Sequence, residues 1–128
     1  MTESSLYPQI MEAFSRGPTR VFRQNAGTAW QGKIIEQSPS RLVLAYPRAI
    51  RLGCPGMADL GGLTSILITP DMIGQRLGVD IQLEIKTRIG RATPEQSAYI
   101  ATMQSLGARA GIARSVEDAA RIISGEKL

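Results

Sequence analysis

Two charged side chains in one short segment are the residues of this chain best suited to chemistry. Glu84 and Lys86 stand in the run IQLEIK (81–86), in which isoleucine and leucine alternate with polar residues. The alternation predicts a β-strand whose polar face carries Glu84 and Lys86 about 7 Å apart, with the apolar face under a helix. Asp59 precedes them in a glycine-rich stretch, GCPGMADLGG (53–62). If the two segments pair as a hairpin, Asp59 and Glu84 converge on one cation.

Two carboxylates and an amine on one face would suit the hydrolysis of a phosphodiester. Uncatalysed hydrolysis is very slow, because the phosphate anion repels the nucleophile and the leaving alkoxide is poor. The carboxylates would hold Mg²⁺ or Mn²⁺, and the backbone carbonyl of Ile85 would complete the ligand set. Lys86 would orient the attacking water or stabilise the charge of the transition state. The alternative is a surface strand on which Glu84 and Lys86 form an ion pair worth roughly a few tenths of a kcal/mol.

The composition narrows the kind of site further. The 128 residues include no histidine and one cysteine, Cys54. This excludes imidazole bases, thiolate clusters and zinc sites that need histidine, so a catalytic metal would sit on carboxylates and carbonyls. The net charge of +4 and the isoelectric point near 9.7 indicate an anionic partner, of which nucleic acid is the usual one.

The elements that would position these side chains can be predicted from periodicity and capping residues. Strand, helix and strand follow one another in the second half of the chain, which predicts at least one parallel pair and an α/β domain. The length fits a single domain spanning 1–128. Helices are predicted over 5–16, 94–106 and 116–124, and strands over 20–25, 33–37, 41–46, 63–68, 81–86 and 108–114.

The cellular location is predicted from the apolar runs, the N-terminal residues and the number of cysteines. Its apolar runs are far shorter than the roughly 20 residues that span a bilayer, and the first residues do not have the pattern of a signal peptide. A single cysteine suits a reducing compartment. We therefore expect a cytoplasmic protein with no membrane partner.

Several segments, taken in order, resemble the VRR-NUC domain, a branch of the PD-(D/E)xK nuclease superfamily. They are VFRQNAG (21–27), PGMADLGG (55–62), QLEIKTRIGRATPEQ (82–96) and SLGARAGIARS (105–115). The resemblance covers nearly the whole chain and implies a restriction-endonuclease-like fold, a mixed β-sheet flanked by helices. It also implies a Mg²⁺- or Mn²⁺-dependent DNA endonuclease that leaves a 5′-phosphate and a 3′-hydroxyl. Small phage and bacterial members of the family resemble junction-resolving enzymes and are often homodimers. The resemblance therefore implies a homodimer, whose two active sites would suit cutting both strands of branched or four-way junction DNA.

The resemblance also assigns roles to individual residues. Asp59 matches the metal-binding aspartate of the family, Glu84 its second metal carboxylate and Lys86 its catalytic lysine. Gln96 matches a glutamine at the start of the helix after the catalytic strand. The residue before Asp59 is Ala58, where the superfamily's name has proline.

Two residues near the N-terminus are candidates for a further acidic residue of this assignment. Glu3 falls where the family has an acidic residue ahead of its first helix. Pro8 follows one turn later, so we expect the helix to begin at Ser5, which leaves Glu12 as the alternative.

Gln96 has two interpretations from the sequence alone. As the third residue of the helix that Thr93 caps, it can bond back to the Thr93 amide as a capping box. It also shares a helical stripe with Ile100 and Met103, which would face the sheet.

Basic residues supply the predicted nucleic-acid contacts. Arg88 and Arg91 follow the strand directly and would flank the cut phosphate, and Arg23 and Lys33 are further candidates. Each of these residues is otherwise a solvated surface charge.

A module that keeps the fold and binds nucleic acid without cleaving it is the alternative function. The segment 27–33 mimics a phosphate-binding loop, and a nucleotide-binding protein that uses it is a second alternative function. As a motif it is rejected, because Ile34 stands where such loops have serine or threonine and the segment beyond it is predicted to be a strand.

Overall fold

The computed structural model of the protein describes residues 2–128 and divides them into two compact units. One unit combines the chain up to Arg20 with Gly62–Leu128, and the other is Val21–Gly61. The elements found in residues 2–128 are α1 (Glu3–Ala13), β1 (Thr19–Arg23), β2 (Gly27–Ser38), β3 (Arg41–Leu52), β4 (Leu60–Thr64), a 3₁₀ turn (Pro70–Met72), β5 (Ile81–Ile85), α2 (Pro94–Ser105), β6 (Arg109–Ala113) and α3 (Val116–Ile123). These elements confirm the α/β class. No helix within 2–128 has the length and apolar character needed to cross a membrane.

The strands pair two by two, which differs in part from the sequence-based expectation. Within residues 2–128 the pairs are β1 with β4, β2 with β3, and β5 with β6. β5 and β6 run parallel, as the strand–helix–strand order predicts. The predicted hairpin between the Asp59 segment and the Glu84 strand is wrong, because the strand that follows Asp59 pairs with β1. Each segment forms its backbone hydrogen bonds with a different partner. The amide of Gln24 donates to the Asp59 carbonyl at 2.8 Å, and β5 pairs with β6.

The first helix begins earlier than the sequence analysis predicts. Thr2, not Ser5, is the N-cap, and Ser5 is the third helical residue. The Ser5 amide donates to Thr2 Oγ1 at 3.3 Å and the Thr2 amide to Ser5 Oγ at 3.2 Å, so the two residues form a reciprocal capping box. Glu3 therefore lies in the first turn of α1, and Pro8 is tolerated inside the helix.

β2 and β3 form a long antiparallel hairpin in the unit Val21–Gly61. Their register runs from Gly27 opposite Leu52 to Ser38 opposite Arg41, with a two-residue turn at Pro39 and Ser40. The segment 27–33 lies inside β2 and not in a loop before a helix, which agrees with rejecting it as a phosphate-binding loop.

The core of the other unit is built around β6. Its buried hydrophobic side chains come from α2, β6 and α3, and are Ile100, Met103, Ala110, Ala113 and Ile122. β6 is buried on both faces because α2 and α3 both pack on it. Small residues on β6 let the helices approach closely, since a Cβ on Gly111 would lie 2.9 Å from Cδ1 of Ile122.

The faces of β5 are oriented opposite to the prediction. Gln82 and Glu84 lie beside Ala110 and Ile112 of β6, the side on which α2 packs. The polar face of β5 is therefore the one under a helix. The apolar face is not, and Ile85 is 68% exposed. The reason is that α3 packs on β6 and leaves the neighbouring apolar face of β5 uncovered.

Gly111 is the residue of β6 at which a side chain would be most disruptive. A Cβ there would lie 2.8 Å from the Leu128 carbonyl oxygen and 2.9 Å from Cδ1 of Ile122. We expect Gly111→Ala to lower the free energy of unfolding by about 1–3 kcal/mol through overpacking, measured by urea denaturation. Gly78 is the matched control, since a Cβ there meets nothing within 4 Å. An equal effect at both glycines would contradict the packing of α3 on β6.

Candidate active site

The side chains of Glu84 and Lys86 meet on the polar face of β5, as the alternation predicts. Lys86 Nζ lies 3.0 Å from Glu84 Oε1, and both side chains are partly buried. Gln96 on α2 contacts the same carboxylate, its Nε2 donating to Glu84 Oε1 at 2.9 Å. The structure thus brings together three of the residues singled out in the sequence. The carboxylate has two donors on one oxygen, which is more than a simple surface ion pair.

Gln96 serves both roles that the sequence allowed. Its Oε1 accepts from the Thr93 amide at 2.9 Å, while Thr93 Oγ1 accepts from the Gln96 amide at 3.1 Å, which completes the capping box. The other end of the same amide group, Nε2, reaches Glu84. The helix start and the strand carboxylate are therefore joined by one side chain. A shift of the first turn of α2 would therefore move the Gln96 side chain and change its hydrogen bond to Glu84.

A second polar contact next to Glu84 was not predicted from the sequence. The Tyr99 hydroxyl donates to Gln82 Oε1 at 3.1 Å, and Gln82 Nε2 donates to Asp80 Oδ2 at 2.9 Å. Two signals could have found it: Asp80 and Gln82 continue the two-residue spacing that ends at Glu84, and Tyr99 follows Gln96 at helical spacing. Burial raises the pKa of Tyr99, and the nearby charge of Asp80 raises it further. The tyrosine is therefore a neutral hydrogen-bond donor at neutral pH.

These side chains line a cavity of about 380 Å³ between β5 and α2. Gln82 and Glu84 form its strand side, and Gln96 and Tyr99 its helix side. The lining residues include one tyrosine, two glutamines and two glutamates, Glu84 and Glu95, a mixture able to receive a polar ligand next to Glu84.

The loop that follows β5 is held in shape by an arginine from the end of β6. Nη1 of Arg114 donates to the carbonyl of Thr87 at 2.5 Å and to that of Gly90 at 2.7 Å. Arg88 and Arg91 lie in this loop and are exposed. Arg114 therefore shapes the loop, while Arg88 and Arg91 keep the exposed positions that the sequence analysis expects of phosphate contacts.

Asp59 belongs to the unit Val21–Gly61, whereas Glu84, Lys86 and Gln96 belong to the other unit. Asp59 is exposed and directly precedes β4. The Gln24 side chain helps to fix its backbone, since Nε2 donates to the Ala58 carbonyl at 3.1 Å. The glycine at position 61 gives that side chain room, because a Cβ there would lie 2.5 Å from Gln24 Cδ. Convergence of Asp59 with Glu84 on one cation stays a prediction.

The remaining predicted site residues lie on elements other than β5 and α2. Glu3 and Glu12 are both exposed on α1. Arg23 is the last residue of β1, and Lys33 is exposed on β2 in the unit Val21–Gly61. Within residues 2–128, no three histidine, cysteine, aspartate or glutamate side chains form a group that could hold a metal.

The oxygen atoms of the Glu84 carboxylate and the Ile85 carbonyl nevertheless supply two ligands of the kind that a hard cation prefers. The contacts from Lys86 and Gln96 both fall on Oε1 of the Glu84 carboxylate. Ile85, whose carbonyl is the other predicted ligand, is the last residue of β5, where regular ladder pairing ends. An oxygen ligand from each is the chemistry that Mg²⁺ and Mn²⁺ prefer.

Comparison with known proteins gives no match: no protein-family model, no curated protein and no solved structure matches the chain. The resemblance to the VRR-NUC domain therefore rests on the sequence segments quoted above and stays a prediction.

The amide of Gln96 provides a test of the cluster. Gln96→Glu keeps an acceptor for the Thr93 amide but places a second carboxylate against Glu84 Oε1, where Nε2 now donates at 2.9 Å. We expect the free energy of unfolding at neutral pH to fall by about 1–3 kcal/mol, measured by urea denaturation. Gln9→Glu is the control, since Gln9 is exposed and donates to a backbone carbonyl. If both variants lose the same amount, the contact between α2 and Glu84 is not present in solution.

The pKa of Tyr99 gives a second test. The absorbance change on forming phenolate, taken as wild type minus Tyr99→Phe, should titrate above the ordinary value of 10.0. Because the folded pKa is raised, the stability that the neutral phenol contributes is complete below the unfolded value of about 10 and is lost as the pH rises through the folded pKa. Asp80→Asn should lower the pKa only part of the way, since burial is the larger cause. An unchanged pKa in Asp80→Asn would contradict this arrangement of charges.

Proposed function

We propose that this protein is a Mg²⁺- or Mn²⁺-dependent DNA endonuclease that hydrolyses phosphodiester bonds. The observation that carries the proposal is the cluster at Glu84, in which Lys86 and Gln96 hold one carboxylate oxygen at 3.0 and 2.9 Å. The resemblance of the surrounding segments to the VRR-NUC domain supports the same function. So does the net charge of +4, which suits an anionic substrate.

The proposal gives each side chain of the cluster a task. Glu84 and Asp59, with the Ile85 carbonyl, would hold the cation. When bound, a divalent metal offsets phosphate charge and lowers the pKa of a water that it binds. Gln96 keeps the Glu84 carboxylate in one orientation, because its own amide is fixed by the helix cap. Lys86 brings an ammonium group to this carboxylate, where it would stabilise the extra negative charge on the phosphate in the transition state.

The substrate side of the proposal rests on the charges around the cluster. Arg88 and Arg91 are exposed on the loop that follows β5, where they would contact phosphates on either side of the cut. Arg114 supports this by holding two carbonyls of the loop. Arg23 and Lys33 would add contacts from the other unit.

The finer fold and the assembly belong to the same proposal. A restriction-endonuclease-like arrangement is what the resemblance implies for the α/β elements, and a homodimer would present two equivalent sites to the two strands of branched DNA. The exposed thiol of Cys54 suits a reducing compartment such as the cytoplasm.

Incubation with supercoiled plasmid and Mn²⁺ or Mg²⁺ tests the proposal. Wild type should nick and linearise the plasmid, and a chelator should stop it. Lys86→Met, Glu84→Gln and Asp59→Asn should each lower the cleavage rate by at least about 100-fold, because each removes charge from the transition state or from the cation site. Glu117→Gln, which neutralises an exposed carboxylate in the first turn of α3, is the control and should cleave like wild type.

A nucleic-acid-binding module that does not cleave is the alternative, and the same assay distinguishes it. Wild type would then retard the plasmid in the gel without nicking it under any metal condition. Cleavage that survives Glu84→Gln and Asp59→Asn would be equally damaging, because it would point to a contaminating nuclease.

A further inference from the structure

The β2–β3 hairpin presents an exposed face on which aromatic, aliphatic and basic side chains are mixed. This face, called the ribbon face below, surrounds a shallow depression of about 640 Å³ whose lining includes Trp30, Gln31, Ile34, Leu44, Tyr46 and Arg48. Trp30 is 61% exposed and Tyr46 is 90% exposed. No residue of either strand, both described throughout, is buried. A two-stranded hairpin is only marginally stable by itself, so a face of this kind indicates a partner.

Tyr46 is unusual in its backbone as well as its exposure. Its φ is 51°, the single left-handed value of a non-glycine residue within residues 2–128. A bulky residue in this region costs free energy that a glycine would avoid. The Tyr46 ring is exposed, so packing within the protein does not offset this free-energy cost. Contact of the ring with a bound partner would offset it.

The charge of this unit indicates the chemistry of that partner. Between residues 21 and 61 there are five basic and two acidic side chains, a net charge of +3 out of the +4 of the whole chain. The basic residues are Arg23, Lys33, Arg41, Arg48 and Arg51. Arg48 is among the residues that line the depression, and its Nη2 donates to Gln31 Oε1 at 2.8 Å across the strands. A partner with negative charge and flat apolar groups would complement this surface.

We propose that the ribbon face binds single-stranded DNA, with bases stacking on Trp30 and Tyr46 and phosphates contacting Arg48 and the basic residues beside it. Unpaired bases offer the flat apolar faces that aromatic rings stack on, whereas in a duplex they are covered by their neighbours. A second copy of this chain would also cover the aliphatic side chains, but it would bring together two units that each carry +3. The charge therefore favours DNA.

This inference deepens the proposed function and rests on DNA as the substrate, but not on cleavage. It names the feature of the substrate that would be recognised, a single-stranded segment such as a branch point or flap exposes. Binding can be measured in a chelator with no divalent metal, so its outcome is separate from that of the plasmid assay.

The chain contains one tryptophan, Trp30, whose fluorescence therefore reports on the ribbon face alone. Titration of the full-length protein with oligo-dT in EDTA should quench this fluorescence, because a stacked base contacts the indole. A duplex of the same length should quench it much less. Unchanged fluorescence on saturating oligo-dT, with binding seen by the anisotropy of a labelled strand, would overturn the proposal, since the strand would then bind elsewhere.

Matched variants separate stacking from folding. Trp30→Ala and Tyr46→Ala should each weaken oligo-dT binding about tenfold, and Trp30→Phe and Tyr46→Phe should restore most of it because a ring remains. Ile35→Ala, which removes an exposed aliphatic side chain of β2 that does not line the depression, should bind like wild type. Far-UV circular dichroism confirms that each variant is folded.

Two outcomes would count against single-stranded DNA as the partner. If the alanine variants bind oligo-dT as wild type does, the rings do not stack on bases. If Trp30→Ala converts a dimer into a monomer in gel filtration without weakening oligo-dT binding, the ribbon face is covered by a second copy of the chain. Either result leaves the cleavage proposal intact, because Glu84 and Lys86 are unchanged in these variants.

Discussion

A helix lies over the polar face of β5, and the rest of the candidate site depends on this constraint. Polar groups that are removed from water must find partners in the protein, since an unpaired one costs on the order of 1–3 kcal/mol. Glu84 and Gln82 meet this requirement through Gln96 and Tyr99 of α2. Within residues 2–128, no buried side-chain nitrogen or oxygen is left without a hydrogen bond. The contacts that fix Glu84 are thus the same contacts that allow α2 to pack there.

The same constraint explains why α2 makes apolar contacts with β6 and polar contacts with β5. α2 places its apolar residues Ile100 and Met103 over β6 and its polar residues over β5, so that one helix covers two strands of different character. β6 carries alanine and glycine and accepts helices on both faces. The site is therefore supported by a small core on one side and by hydrogen bonds on the other. That division suits a site in which one carboxylate must stay oriented while remaining reachable from solvent.

Local features of this site could be predicted from the sequence, and tertiary features could not. The alternation around Glu84 and the cap at Thr93 are set by neighbouring residues, and both elements are found close to their predicted bounds. The partner of β4, the strand after Asp59, depends on residues far away in the chain. It is β1 and not β5. The covered face of β5 was also misjudged. Hydrophobicity predicts that the isoleucines face a helix, but polar residues on α2 pair with the opposite face instead.

The arginine at the end of β6 has a consequence for the order in which this region acquires its structure. Arg114 reaches carbonyls of Thr87 and Gly90, more than twenty positions earlier in the chain. Contacts between positions so far apart form only after the intervening chain has been brought back, which costs loop-closure entropy. The Arg114 contacts with the loop that presents Arg88 and Arg91 therefore require the chain to have returned through α2. The turn inside this loop, in which the Gly90 amide donates to the Thr87 carbonyl at 3.2 Å, needs only neighbouring residues, so the loop combines one local and one long-range source of order.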